Sequence, residues 1–327
     1  MAQSNPTPQA LPHSQTFGAL SPASSTSLPA GWASWQLGVG NPSPVYRTTA
    51  PIADRAIVPN GTASATSGSV YNYLDKPGVL NSGGFDGAIA VALNTTGQRG
   101  ISVSYDIMTI RNPYDGSANT KLQLTTLQYR LGTSGTFTTL TGVDYVNNTT
   151  AQTAGTTGQK IETKTITLPA ACDNQSVVQL RWVSRDSTGA GARPSIAIDN
   201  FSASGSINGT IASGEYGTHT DGANQQSSST GTWYMKADSS YLYIGISGTN
   251  TTEGAVLYLD KNPISPVNGG TNTNGNLTGY NNYDGSSFAA LPFRADLVVY
   301  FKSGYREYRT ADGAGGWSAA TTAFGTY

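Results

Sequence analysis

Short runs in which apolar and polar residues alternate recur along this chain and constrain its fold more than any other feature. The clearest run is ISVSYDI at 101–107, where Ile101, Val103, Tyr105 and Ile107 share one side. A period of two is the repeat of a half-buried β-strand. No amphipathic helical pattern extends beyond about two turns, so the sequence predicts an all-β fold.

Further runs of this kind are spread over the whole chain. The main ones are KLQLTTLQYR (121–130), IETKTITL (161–168), VVQLRWV (177–183), SIAIDNFSASG (195–205), TWYM, YLYIGI, GAVLYLD, ADLVVYFK and YREYRT. In the first of them the alternation slips at Thr125-Thr126, which predicts a β-bulge. KADSS and Ser303-Gly304 predict hairpin turns. Many short strands at this spacing favour antiparallel β-sandwiches over βαβ units.

Composition supports this interpretation and divides the chain. Only 11% of residues are charged, and there are 39 Gly and 18 Tyr among 327 residues. Such a balance is typical of β-structure with long surface loops. A Gly-Ser-rich junction near 204–207 predicts a boundary between two domains. We therefore expect an N-terminal tail at 1–15 and two tandem antiparallel, jelly-roll-like β-sandwiches at 16–205 and 206–327.

Charge, cysteine content and hydropathy exclude several classes of protein. The net charge of −1 comes without any Lys/Arg run, which argues against a nucleic-acid partner. No apolar run approaches the roughly 20 residues of a membrane helix, so membrane insertion is not expected. Cys172 is the one cysteine, and no intrachain disulfide can form. The start MAQSNPTPQA is typical of an initiator Met before a mature secreted N-terminus, which predicts a bacterial protein, secreted or at the cell surface, whose signal peptide has been removed.

Four motifs in the first half resemble a known type of domain. LPAGWASW (28–35) and the pair Leu180-Arg181-Trp182 and Ile198-Asp199-Asn200-Phe201 are similar to the concanavalin-like jelly-roll domain of secreted Bacteroidota proteins. SGSVYNYL (67–74) resembles an early element of that domain. The resemblance covers about 16–205 and implies a β-sandwich, but it implies no particular function.

The second half, 206–327, is similar to carbohydrate-binding family 9 and DOMON-like sandwiches. The resemblance is carried by INGTIASGEYG, YLYIGI, VLYLD and LPFRADLVVYF. It implies a sandwich that binds carbohydrate. Such domains usually continue beyond a segment like 305–327, so we expect either a piece of a longer protein or a truncated sandwich.

Two strand ends carry oxygen-rich side chains that suit calcium, which takes about six to eight oxygen ligands. In YLDKNP, Asp260 and Asn262 begin a long Asn/Gly loop from which Asp284 could reach back. Asp199 closes the first sandwich. At each place, side chains bonding backbone amides at a strand end are an open alternative.

Aromatic side chains in polar loops are candidates for stacking on sugar rings. Tyr280 and Tyr283 in GYNNYDG are the preferred pair, and Trp233, Tyr305 and Trp317 join them. For any one of these rings, packing in the core is the alternative interpretation.

Signals for catalysis are sparse. The two histidines are His13 and His219, so a site built on paired histidines is not expected. Cys172 has no convincing catalytic partner, and the four glutamates share no pattern. We predict a non-catalytic binding module for polysaccharide or cell-surface glycan, with calcium-stabilised loops. A structural or adhesive protein that self-associates through strand edges remains open, as does an accessory region of a larger extracellular hydrolase or nuclease.

Overall fold

The computed structural model describes residues 3–40, 44–207, 211, 216, 225–228, 231–237, 242–248, 252, 255–259, 282–283, 286–287, 296–302, 304–310 and 318–322. The chain forms two compact units, Met1–Glu215 and Tyr216–Tyr327. Within the described residues there is no α-helix, and none of the helical segments could span a bilayer. The predicted all-β class with antiparallel sheets is confirmed.

The first unit contains fifteen strands and two short 3₁₀ turns, Gly18–Leu20 and Ala170–Cys172. The strands are β1 (Gln9–Ala10), β2 (His13–Gln15), β3 (Trp32–Gly38), β4 (Ala53–Asp54), β5 (Ile57–Val58), β6 (Ser69–Asn72), β7 (Pro77–Leu80), β8 (Asp86–Asn94), β9 (Gln98–Thr109), β10 (Leu122–Leu131), β11 (Thr138–Thr139), β12 (Tyr145–Val146), β13 (Gln159–Thr167), β14 (Val178–Thr188) and β15 (Ser195–Ile207).

These strands form two sheets. The eight-stranded sheet has the order β11-β10-β14-β8-β3-β4, with β1 paired to β8 and β12 paired to β10. The seven-stranded sheet has the order β13-β9-β15-β7-β6-β5, with β2 attached to β15. Trp32 and Trp182 from the first sheet share one buried cluster with Tyr105 and Phe201 from the second. Because both sheets bury side chains in the same cluster, they pack face to face as a sandwich.

Aromatic contacts fix this core. The Trp32 and Trp182 rings stack with centroids 5.8 Å apart. Tyr105 meets Trp182 edge to face at 5.1 Å, and Phe201 meets Trp32 edge to face at 5.1 Å. The Leu-Arg-Trp and Ile-Asp-Asn-Phe motifs therefore supply rings from opposite sheets to one core.

The segment expected to be an N-terminal tail is paired within the sheets. Gln9–Ala10 pairs in parallel with β8, and His13–Gln15 pairs with β15. Leu11 is buried in the shared core, as are Phe17 and Leu20 just after this segment. The described part of this segment thus belongs to the sandwich.

The predicted bulge at Thr125-Thr126 is wrong. Residues 123–131 of β10 pair with β14 in continuous register, and the register shifts between Leu122 and Gln123. Thr125 and Thr126 point to opposite faces, and both are buried. The alternation is lost here because β10 is covered on both faces, so the two threonines need no kink in the backbone.

The second unit contains eight described strands. They are β16 (Gln225–Ser228), β17 (Gly231–Ala237), β18 (Leu242–Ser247), β19 (Ala255–Leu259), β20 (Asn282–Tyr283), β21 (Ser286–Ser287), β22 (Leu297–Lys302) and β23 (Tyr305–Thr310). They form two antiparallel three-stranded sheets, β16-β17-β18 and β19-β22-β23, and a two-stranded ribbon. The two predicted hairpins, β17–β18 and β22–β23, are confirmed.

Candidate functional site

The β22–β23 hairpin brings an exposed tyrosine together with charged side chains on one face. Tyr305 lies opposite Lys302, and Glu307 lies opposite Tyr300. Directly opposed residues of an antiparallel pair share a face, and so do residues two apart along a strand. This cross-strand pairing places six side chains on what we call the Tyr305 face: Val298, Tyr300, Lys302, Tyr305, Glu307 and Arg309.

Hydrogen bonds on this face hold the charged groups beside the ring. The Tyr305 hydroxyl donates to Oε2 of Glu307 at 2.5 Å. The Nε of Arg309 donates to Oε1 of the same carboxylate at 2.8 Å. The hydrogen bond to Glu307 is the main reason that the pKa of Tyr305 is raised above its ordinary value. Tyr305 is therefore held as a neutral phenol next to an ion pair.

Exposure differs sharply along the same face. Tyr305 is 42% exposed, whereas Glu307 and Tyr300 are buried. The rings of Tyr300 and Tyr305 are tilted to each other with centroids 6.1 Å apart, and the Lys302 ammonium lies 5.8 Å from the Tyr300 ring. The arrangement presents one aromatic surface to solvent, supported from below by an ordered carboxylate.

Trp233, the other described aromatic candidate, lies on a different sheet. It is half-buried on β17, where Ile246 of β18 is its cross-strand partner. Met235 and Ile244 pair next along the same face. On its other side Trp233 faces Gln226 of β16, and Met235 is exposed, so a role of Trp233 in binding sugar stays a prediction.

The side chains of the remaining candidates in the second unit lie outside the described part of the structure. Tyr283 lies on β20, where its backbone pairs with Ser286, but its side chain is outside the described ones. The other predicted residues also lie outside the described residues: Tyr280, Trp317, Asp260, Asn262 and Asp284. Their roles in binding sugar or calcium stay predictions.

Asp199 occupies a bulge on the outer face of the seven-stranded sheet. Its Oδ1 accepts a hydrogen bond from the backbone N–H of Asn200 at 2.7 Å. Neighbouring Asp106 accepts from Thr163 Oγ1 at 2.6 Å and from Asn200 Nδ2 at 2.8 Å. These bonds match the alternative in which the side chains satisfy a strand irregularity. Among the described residues, no three His, Cys, Asp or Glu side chains are grouped to hold a metal ion.

Sequence reasoning missed Glu307 and Arg309 as members of the site. The signal was present, because positions 305, 307 and 309 alternate in YREYRT and must share a face once the run is a strand.

Comparisons with known proteins identify no family. No family model and no curated protein match the chain. Several solved structures are similar to parts of it. The CBM22-1 xylan-binding domain of Xyn10C from Paenibacillus barcinonensis is 12% identical, with a TM-score of 0.29, and the match covers 59% of this chain and 92% of that one.

Two other solved structures give similar values. TmCBM61 in complex with β-1,4-galactotriose is 11% identical over 44% of this chain and 76% of that one, with a TM-score of 0.25. The K3 cleaved adhesin domain of Lys-gingipain from Porphyromonas gingivalis W83 is 14% identical over 54% and 92%, with a TM-score of 0.28. Similarity at these TM-scores carries no argument about what this chain binds.

Proposed function

We propose that this chain is a non-catalytic, secreted or cell-surface module that binds polysaccharide through the Tyr305 face. The observation that carries the proposal is the partly exposed Tyr305 ring, whose hydroxyl is bonded to a buried carboxylate that also pairs with Arg309. Sugar rings offer apolar C–H faces that stack on aromatic rings, and their hydroxyls bond to ordered polar groups. This face supplies both kinds of contact.

The composition of the face supports binding without catalysis. A glycosidase normally uses two carboxyl groups about 5–10 Å apart. Glu307 is the one carboxylate within the described strands β19, β22 and β23, and it accepts hydrogen bonds from Tyr305 and Arg309. We therefore assign Glu307 to ordering the Tyr305 ring and the guanidinium.

Calcium-stabilised loops remain part of the proposal through Asp260, Asn262 and Asp284, whereas the hydrogen bonds of Asp199 favour the strand-end alternative at that position. Melting of the protein with and without EDTA tests them together. We expect EDTA to lower the melting temperature; an unchanged curve would remove calcium from the proposal and leave the Tyr305 face unaffected.

Self-association through strand edges is opposed by the edge strand β13. This strand has a register shift between Gln159 and Glu162, and Lys160 has a φ of 46°. Glu162 forms ion pairs with Lys164 at 2.8 Å and with Lys160 at 3.4 Å. Irregular, charged edges discourage pairing with another chain.

Affinity electrophoresis through gels containing soluble polysaccharides tests the proposed function. We expect at least one polysaccharide to retard the wild-type chain and Tyr305→Ala to abolish the retardation. Tyr305→Phe keeps the ring and should retain most of the effect. Tyr114→Ala, a half-buried loop tyrosine of the first unit, serves as the matched control. Retardation of Tyr305→Ala equal to the wild type would reject the assignment to this face.

A further inference from the structure

The outer face of the eight-stranded sheet carries a buried layer of charged and amide side chains. We call it the covered face and define it by Trp35, Gln128, Arg130, Gln179 and Arg181. All five are at most 3% exposed. Long charged side chains are almost never buried so completely unless they are paired.

The two arginines of the covered face have no carboxylate partner within the described part of the chain. Arg181 donates to Oε1 of Gln128 at 2.9 Å and to the carbonyls of Thr49 and Arg47 at 3.0 and 2.8 Å. Arg130 donates to Oε1 of Gln179 at 2.8 Å. Asp86, the one acid among the described residues whose charge affects Arg181, is paired with Arg47 at 2.6 Å.

Both guanidiniums also pack on the ring of Phe137, at 3.7 Å for Arg181 and 4.5 Å for Arg130. Burial, and then the neighbouring Arg130 charge, lower the pKa of Arg181. Two positive charges are thus buried close together with only neutral acceptors bonded to them, which makes the covered face favourable for an anion.

Residues near the start of the chain cover the Arg130–Gln179 end of this face, whereas the carbonyls of Arg47 and Thr49 and the ring of Phe137 lie against Arg181. Residues 3–8, which we call the strap, place Oδ1 of Asn5 where it accepts from Gln179 Nε2 at 3.0 Å, Arg130 Nη2 at 3.3 Å and Gln3 Nε2 at 2.8 Å. The Trp35 indole N–H donates to the carbonyl of Ser4 at 3.2 Å. One neutral amide oxygen therefore receives three donors, one of them a guanidinium.

The strap is held at the surface rather than sealed inside. Ser4 and Asn5 are exposed, and besides the bonds already given the strap is tied by the Ser4 N–H to Oδ1 of Asp54 at 2.9 Å. An exposed segment held by a few hydrogen bonds opens at low free-energy cost. The groups beneath it, in contrast, are rigid members of β3, β10 and β14.

We propose that the covered face is a second saccharide-binding site, which accepts the carboxylate of an acidic sugar at the position of Asn5 Oδ1 while the strap acts as a built-in competitor. A carboxylate bonded to a guanidinium makes stronger, charge-assisted hydrogen bonds than an amide does. Once the strap is displaced, the Trp35 ring and the Gln179 amide supply the stacking surface and the hydroxyl-bonding group that a sugar needs. This site is independent of the Tyr305 face.

Isothermal titration with trigalacturonic acid tests the proposal, with neutral maltotriose as the second probe. The proteins are the full chain, Asn5→Ala and a chain lacking residues 3–8, all in a Tyr305→Ala background so that the other face does not contribute. Thr7→Ala, an exposed strap residue, is the matched control. We expect Asn5→Ala and the deletion to bind trigalacturonic acid at least about tenfold more tightly than Thr7→Ala, which is the effect of about one lost competing hydrogen-bonded contact.

Either of two results would overturn the proposal. One is that neither Asn5→Ala nor the deletion binds trigalacturonic acid better than Thr7→Ala. The other is that maltotriose binds the opened chains as tightly as the acid does, which would show that the charge of the face plays no part.

Asn5→Asp supplies a second measurement that does not depend on opening the strap. The new carboxylate meets the same three donors, so its folded-state pKa lies below the ordinary value of about 3.9. A depressed acid pKa stabilises the fold above that ordinary value, and the stabilisation disappears as the pH falls through the folded-state pKa. We expect a melting temperature about 2 °C or more above the wild type at pH 7 and no gain near pH 2. A lower melting temperature at pH 7 would contradict a carboxylate-binding face.

Discussion

The covered face of the first unit and the Tyr305 face of the second unit combine the same chemistry under different conditions of exposure. Each places an aromatic ring beside a guanidinium and a hydrogen-bonding partner. On the covered face Trp35 is fully buried beneath the strap, whereas Tyr305 is 42% exposed. Side-chain chemistry alone therefore does not locate a binding surface. Whether such a surface is accessible depends on the segment of chain that lies over it.

The largest expected effect comes from removing a charge of the covered face. Arg181→Ala leaves Gln128 Oε1 and two backbone carbonyls without their donor and opens a cavity, so we expect a loss of about 3–5 kcal/mol in the free energy of unfolding. Urea denaturation measures it. Thr165→Ala, on the exposed face of the other sheet, should stay within about 0.5 kcal/mol of the wild type. Equal losses of stability in Arg181→Ala and Thr165→Ala would contradict the distinction between a covered and an exposed face.

A smaller effect is expected at Phe137, whose ring lies against both guanidiniums of the covered face. Phe137→Leu keeps an apolar side chain but removes the ring, and we expect it to cost about 1–2 kcal/mol because the cation–π contacts are desolvated. Urea denaturation measures this change in the free energy of unfolding. An unchanged free energy of unfolding in Phe137→Leu would mean that the ring does not stabilise the buried charges.

The contrast between β9 and β10 shows what the sequence could predict. In β9 the side chains facing the core are buried, while Ser102, Ser104 and Asp106 on the other face are partly exposed, so the alternation of 101–107 predicts the strand. In β10 both faces are covered, and the apparent slip at Thr125-Thr126 wrongly predicts a bulge. Local periodicity reports exposure, and it fails where distant segments cover the outer face.

The strap and the side chains that it contacts could not be predicted from the sequence, because their contacts also join distant segments. Residues 1–30 show little pattern, and the hydrogen bonds that Asn5 accepts from Arg130 and Gln179 join positions more than a hundred residues apart. On the Tyr305 face, by contrast, Tyr305, Glu307 and Arg309 are adjacent on one strand. Their grouping follows from a period of two once the hairpin is predicted.

The smallest expected effect separates calcium from strand-end hydrogen bonding at Asp199. Burial raises the pKa of Asp199, and the nearby Asp75 and Asp106 add to the rise. An acid with a raised folded-state pKa destabilises the fold when ionised, and the penalty is relieved as the pH falls towards its ordinary pKa. Asp199→Asn should therefore stabilise the protein at pH 7 by less than about 1 kcal/mol, since solvent screens a partly exposed group.

Thermal melting at pH 7 and near pH 3 checks this prediction, and the gain should vanish at the lower pH. If Asp199 is a calcium ligand, the same substitution will instead destabilise the protein at pH 7, and EDTA will lower the melting temperature of the wild type but not of the variant.

Hydroxyl-radical footprinting of the full chain, read by mass spectrometry, tests the central claim that accessibility selects the Tyr305 face for polysaccharide. The polysaccharide that retards the wild-type protein is the probe. Tyr305 should be oxidised in the free chain and protected in its presence, while the buried Trp35 should stay unoxidised in both samples. Oxidation of Tyr305 that is unchanged by a bound polysaccharide would contradict the account.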